Sequence, residues 1–97
     1  MHKIALIAVV MSFITPLVYA DEQRNVALLA SSCAACHGTN GHSVGGIPRL
    51  AGLEPLHFKA QMKQFVDVSR PSTVMFHHAS GLTQDEVNIL ADYFTSQ

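Results

Sequence analysis

Apolar residues recur at helical spacing in three stretches of the chain. Val26, Leu29, Ala30 and Cys33 stand at i, i+3, i+4 and i+7, which predicts a helix over about Glu22 to Cys36. Phe58, Met62, Phe65 and Val66 mark the apolar face of a second, over about Pro55 to Val68. Pro55 suits its first turn, where a missing N–H is no loss. Ser69-Arg70-Pro71-Ser72 should end it, because proline cannot continue a helix. The third runs from about Gln84 to Thr95, with Val87, Leu90, Ala91 and Phe94 inward and Asp85, Asn88 and Asp92 toward water. Thr83-Gln84-Asp85-Glu86 opens it with a capping box, in which Thr83 and Glu86 satisfy each other's exposed backbone donors.

Two irregular stretches join these segments. Gly38 to Gly52 holds five glycines and Pro48, so it reads as a loop. Ser69 to Leu82, with Pro71 and Gly81, also reads as a loop. No stretch alternates convincingly as a strand pair. The pattern predicts an all-α domain with two long loops, and loops of that length in a compact domain usually carry function.

The amino end has a different pattern. A basic start, Met1-His2-Lys3, leads into an apolar run from Ile4 to Val18 and then Val18-Tyr19-Ala20, a small-residue cleavage pattern. This is the form of a secretory leader, with cleavage expected after Ala20. A membrane anchor fits less well, since the run is shorter than the ~20 residues a span requires and Pro16 interrupts it. The expectation is an exported, periplasmic domain over residues 21–97 with no membrane span after cleavage.

That domain carries Arg24, Arg49, Lys59, Lys63 and Arg70 against Asp21, Glu22, Glu54, Asp67, Asp85, Glu86 and Asp92, an excess of two negative charges. No basic run interleaves with aromatics, which argues against nucleic-acid binding. So short a domain buries a marginal core and usually needs a staple. Only two cysteines are present, Cys33 and Cys36.

Those cysteines stand in Cys33-Ala34-Ala35-Cys36-His37. Cys-x-x-Cys-His is the attachment pattern of a c-type haem. Positions i, i+3 and i+4 share a helix face. Two thiols can then bond the two vinyl groups of one haem while the imidazole of His37 meets its iron. A redox-active Cys-x-x-Cys would open a helix, where the dipole lowers a thiol pKa; here the helical pattern precedes Cys33. A structural zinc would require four ligands. A plain disulfide suits an exported protein but leaves His37 to chance.

The second axial position of the iron sets its function. Met62, Met75, His42, His57, His77 and His78 are the available donors in residues 21–97. Met62 reads as core filler, His57 as exposed, and His42 as too near His37 to reach the far haem face. Met75 is the best placed, in an irregular segment between Val74 and Phe76 after Pro71. The alternatives are a role for Met75 as a plug into the core, or ligation by His77 or His78. A vacant position would suit an open-iron enzyme or gas sensor. His37 also needs an acceptor on its other ring nitrogen, and a carbonyl of Gly45-Gly46-Ile47-Pro48 could supply it, though Pro48 also reads as a rigid turn residue. Arg49 either pairs with a haem propionate or is a solvated surface arginine. Leu50, Leu53, Phe58 and Phe65 belong to the pocket or to the core.

The order Cys33-Ala34-Ala35-Cys36-His37-Gly38, Gly41, Pro48-Arg49-Leu50-Ala51-Gly52, Met75, Gly81-Leu82-Thr83 and Leu90-Ala91-Asp92-Tyr93-Phe94 resembles the small bacterial class I cytochromes c over essentially all of residues 21–97. Three stretches are most similar to the cytochrome subunit of flavocytochrome c sulfide dehydrogenase: Cys36 to Gly45, Ser72 to Met75 followed by Ala79-Ser80-Gly81, and Leu90 to Gln97. The resemblance implies a class I cytochrome c fold around one covalent haem c on Cys33 and Cys36. It also implies iron ligands at His37 and Met75 and an FAD-containing flavoprotein partner in a heterodimer. Some members carry two haems; the single motif here implies a one-haem form. Pro48-Arg49-Leu50-Ala51-Gly52 is closer to diffusible carriers of the same class, which pass electrons to a terminal oxidase or photosynthetic centre. Under either reading the chain does no bond chemistry alone and hands electrons to a downstream acceptor.

Overall fold

The computed structural model describes residues 25–97. The leader, its cleavage after Ala20 and the expected helix start at Glu22 lie outside them. The described residues are all-helical, without a strand. Helix α1 occupies residues 25–37, α2 Pro55–Val66, α3 Met75–Ser80 and α4 Gln84–Thr95. No helix among them is long and apolar enough to cross a membrane.

Helix α2 packs on α3 and on α4. Phe58, Met62, Ala79, Val87, Leu90, Ala91 and Phe94 form one core with Ala30 of α1. Phe94 and Leu90 are fully buried, and the Phe94 ring stacks on Phe58 with centroids 6.0 Å apart. The expected stripe of α4 is buried at all four positions. Its capping box also forms: Glu86 N–H donates to Thr83 Oγ1 at 3.1 Å, and Thr83 N–H to Glu86 Oε1 at 2.9 Å. Asp85 and Asp92 face water, while Asn88 is half-buried and accepts from Gln84 Nε2 at 2.9 Å.

Helix α2 differs from expectation at its end. It stops at Val66, before the proline, and Val66 points to solvent rather than joining the apolar face. The terminator is Val68, whose φ of 64° puts a β-branched residue in the left-handed region. Val68 N–H donates to Phe65 O at 3.3 Å and Arg70 N–H to Gln64 O at 3.2 Å, so the freed carbonyls are satisfied much as a Schellman cap would satisfy them.

The stretch expected to be loop from Ser69 to Leu82 contains a helix, α3, with Met75 as its first residue. A helix of six residues is less than two turns, too short to show a 3.6-residue period. Ser72 Oγ accepts from the Phe76 N–H at 3.1 Å and helps start it.

The other loop, after α1, folds back on itself. Gly38 ends the helix with φ 86°, and a Cβ there would lie 2.5 Å from His42 O. A 3-10 turn over Thr39–Gly41 follows. Gly41 O accepts from Leu50 N–H at 2.9 Å and Ala51 N–H at 3.1 Å, closing the loop at its base. Gly41 must be glycine there, with φ 78° and its missing Cβ 2.8 Å from Phe94 Cδ1. Tyr93 of α4 donates its hydroxyl to Asn40 Oδ1 at 2.9 Å, and Gly52 N–H donates to Phe94 O at 2.8 Å. Helix α4 therefore pins both ends of the loop that passes beside His37.

Candidate functional site

A cavity of about 570 Å³ opens between the end of α1, the loop after it, α2, and the segment leading into α3. That size lies within the roughly 300–1,000 Å³ of small-molecule and cofactor sites. Cys33, Cys36 and His37 all line it. They do so because α1 continues one residue past the expected Cys36 and carries His37 on the same face. Both cysteines are free thiols. Burial pushes the Cys33 thiol up, against smaller lowering contributions from Ser32 and the backbone. This is opposite to the depressed thiol that a disulfide oxidoreductase needs.

The imidazole of His37 is oriented from behind. Its Nδ1 lies 2.6 Å from the carbonyl oxygen of Pro48. A carbonyl can only accept, so Nδ1 carries the hydrogen and the neutral ring keeps its lone pair on Nε2. The loop over 45–48 thus supplies the acceptor that the sequence required, and Pro48 supplies it from the cavity wall.

The other sequence-derived candidates separate. Met75, His77, His78 and Met62 line the cavity; His42 and His57 are exposed and do not. Met62 is buried in the core as well as facing the cavity, and Met75 is half-buried against that core. Leu50, Leu53, Phe58 and Phe65 all line the cavity, and Phe58 also belongs to the buried core. Arg49 lines it too, with its Nε donating to Ala51 O at 3.2 Å.

Sequence reasoning missed Arg70 on this wall. Its guanidinium lies over the Phe65 ring, 5.5 Å from the centroid. The only linear signal was a basic residue just before Pro71, and that residue reads equally as part of a helix stop.

A family model for cytochrome c matches residues 23–97. The chain belongs to the cytochrome c family. Among curated relatives, the cytochrome subunit of sulfide dehydrogenase from Chlorobaculum tepidum is 43% identical over 69% of this chain. A thiosulfate dehydrogenase electron acceptor from Thiomonas intermedia is 40% identical over 68% of it. Cytochrome c-554(548) from Halomonas halodenitrificans is 31% identical, also over 68%. The chain spans 61% of the first relative, 31% of the second and 84% of the third.

The cavity of this cytochrome fits the haem c that Cys33, Cys36 and His37 imply. Its walls are largely apolar, as a flat macrocycle requires, with Phe58, Phe65, Leu50 and Leu53 among them. No aspartate or glutamate lines it, whereas two arginines do. That balance suits a ligand with an apolar body and anionic edge groups.

Proposed function

We propose that this cytochrome is the haem subunit of a sulfide-oxidising flavocytochrome c, working after export to the periplasm with residues 1–20 removed. The observation that carries this reading is the 43% identity to the cytochrome subunit of a sulfide dehydrogenase. Cys33 and Cys36 hold the haem covalently, and His37 and Met75 are its axial ligands. The haem supplies a one-electron iron couple; the chain sets its orientation, its ligand field and its exclusion of water.

His37 enters with its tautomer already fixed by Pro48. Met75 is supported as the second ligand over Met62, because Met62 is packed among the buried core residues of α2 while Met75 stands half-buried on the cavity wall. A thioether ligand holds the couple at a higher potential than a second imidazole would, which suits acceptance of electrons from a flavoprotein. Sulfide oxidation to sulfur releases two electrons on the partner. This chain accepts one at a time, so it passes through two cycles of reduction and reoxidation for each.

The partner is an FAD-containing subunit. Ile47 and Val74 stand exposed at the cavity rim, an apolar edge of the kind a stable interface covers. Affinity purification from the native host, with absorbance read for both haem and flavin, tests the reading. Co-elution of the two chromophores at fixed ratio supports it. A flavin-free cytochrome would instead support a diffusible carrier, the reading favoured by the 40% identity to an electron acceptor of thiosulfate dehydrogenase.

A further inference from the structure

Tyr93 and Asn40 are 53 positions apart in sequence, yet the Tyr93 hydroxyl donates to Asn40 Oδ1 at 2.9 Å. Among the described residues this is the hydrogen bond that joins side chains of two different elements; the other side-chain pair, Gln84 and Asn88, lies within α4. Burial of the apolar face of α4 accounts for Val87, Leu90, Ala91 and Phe94. It does not account for a hydroxyl at position 93. The half-buried ring of Tyr93 packs edge-on against Phe94, with centroids 5.2 Å apart, and a phenylalanine would fill that place equally well.

Asn40 is held in a costly backbone conformation. Its φ of 52° and ψ of 25° lie in the left-handed region, which asparagine enters more readily than most residues but still at a penalty. The turn it sits in has His37 on one side and the acceptor of His37 on the other. Gly38 follows His37 directly, and its carbonyl accepts from Gly41 N–H at 2.9 Å. The Gly41 carbonyl then accepts from Leu50 and Ala51 N–H, just beyond Pro48, whose own carbonyl meets His37 Nδ1. Tyr93 holds the middle residue of that turn.

We propose that Tyr93 is a positioning residue for His37: its hydroxyl fixes the Asn40 turn, and the turn keeps the Pro48 carbonyl on the ring nitrogen. Without the hydroxyl the turn relaxes and the acceptor is held less firmly. The imidazole is then a weaker donor to iron. Ferric iron loses stabilisation and the reduction potential rises. A hydrogen bond between α4 and a loop thus acts on the metal through two intervening backbone contacts. The inference rests on His37 as an iron ligand and not on which partner docks.

The test uses the holoprotein as wild type, Y93F, N40G, the double variant and T83A. Two quantities are read: solvent exchange of the His37 ring proton by NMR, and the reduction potential by voltammetry. Y93F keeps the ring packed on Phe94. It should speed the exchange by up to about fivefold, the factor equivalent to losing one ordinary hydrogen bond, and raise the potential. N40G keeps a backbone suited to the turn and loses the acceptor, so it moves both quantities the same way. The double variant exchanges no faster than N40G alone, since the two changes remove one interaction. T83A weakens the same helix at its far end and moves neither quantity, which separates positioning from mere stability. Y93F values that overlay those of the wild type overturn the proposal, as does a T83A effect equal to that of Y93F. Wild-type protein without covalent haem overturns the ligation beneath the proposal as well, and its intact mass shows that failure before any variant is compared.

Discussion

Nδ1 of His37 and the carbonyl oxygen of Pro48 stand 2.6 Å apart, although the two residues are eleven positions apart in sequence. The loop that joins them is closed at Gly41 and pinned to α4 through Asn40 and Gly52. An imidazole held in this way is a stronger donor to iron, because the hydrogen bond increases its basicity. Proline at 48 fixes the backbone that presents the oxygen.

Pro48→Ala therefore loosens the acceptor without removing it. The ligand becomes less basic and ferric iron less stabilised, so the reduction potential rises modestly. Protein-film voltammetry measures the change. Faster solvent exchange of the His37 ring proton, followed by NMR, should accompany it.

The two cavity methionines separate by substitution. Met75→Ala abolishes the methionine-ligated low-spin signature in the visible spectrum of the holoprotein. Met62→Ala keeps that signature and costs about 2–5 kcal/mol of stability, the usual range for emptying a buried side chain. An unchanged spectrum in Met75→Ala would point to the open-iron class or to His77 or His78 as ligand.

Val68 holds a left-handed backbone with its side chain 70% exposed. Nothing in its packing offsets the steric cost. Val68→Gly should stabilise the holoprotein by about 1 kcal/mol, the scale of the left-handed penalty for an L-residue. Denaturant unfolding followed by far-UV circular dichroism reads it.

Thr83 and Glu86 close the start of α4 with two reciprocal hydrogen bonds. Thr83→Ala removes one of them and costs about 1 kcal/mol. The haem spectrum is unaffected, since neither Thr83 nor Glu86 lines the cavity.

Much of this was legible in the sequence, for reasons that differ by element. Helix α4 has three turns, a full apolar stripe and a cap, so period and chemistry agree along its length. Cys33, Cys36 and His37 are legible because covalent attachment and ligation require residues on consecutive turns of one helix. The Pro48 acceptor was legible only as a loop, since which carbonyl faces the ring depends on how Gly41 closes that loop. Helix α3 was hidden by its length, and the end of α2 by Val68, whose side chain gives no sign of a left-handed backbone. Arg70 was hidden because its partner ring, Phe65, lies on the preceding helix and the turn between them is irregular. Charge segregation around a cavity is a property of the folded chain, and no linear pattern records it.

The most direct test of the central claim is the intact mass of the exported protein under denaturing conditions, after expression with haem-attachment machinery. The account predicts that the chain, whatever its processed N-terminus, carries the mass of one haem that survives denaturation, and that replacing Cys33 and Cys36 by serine abolishes it. A bare chain with Cys33 and Cys36 joined to each other would contradict the account at its foundation.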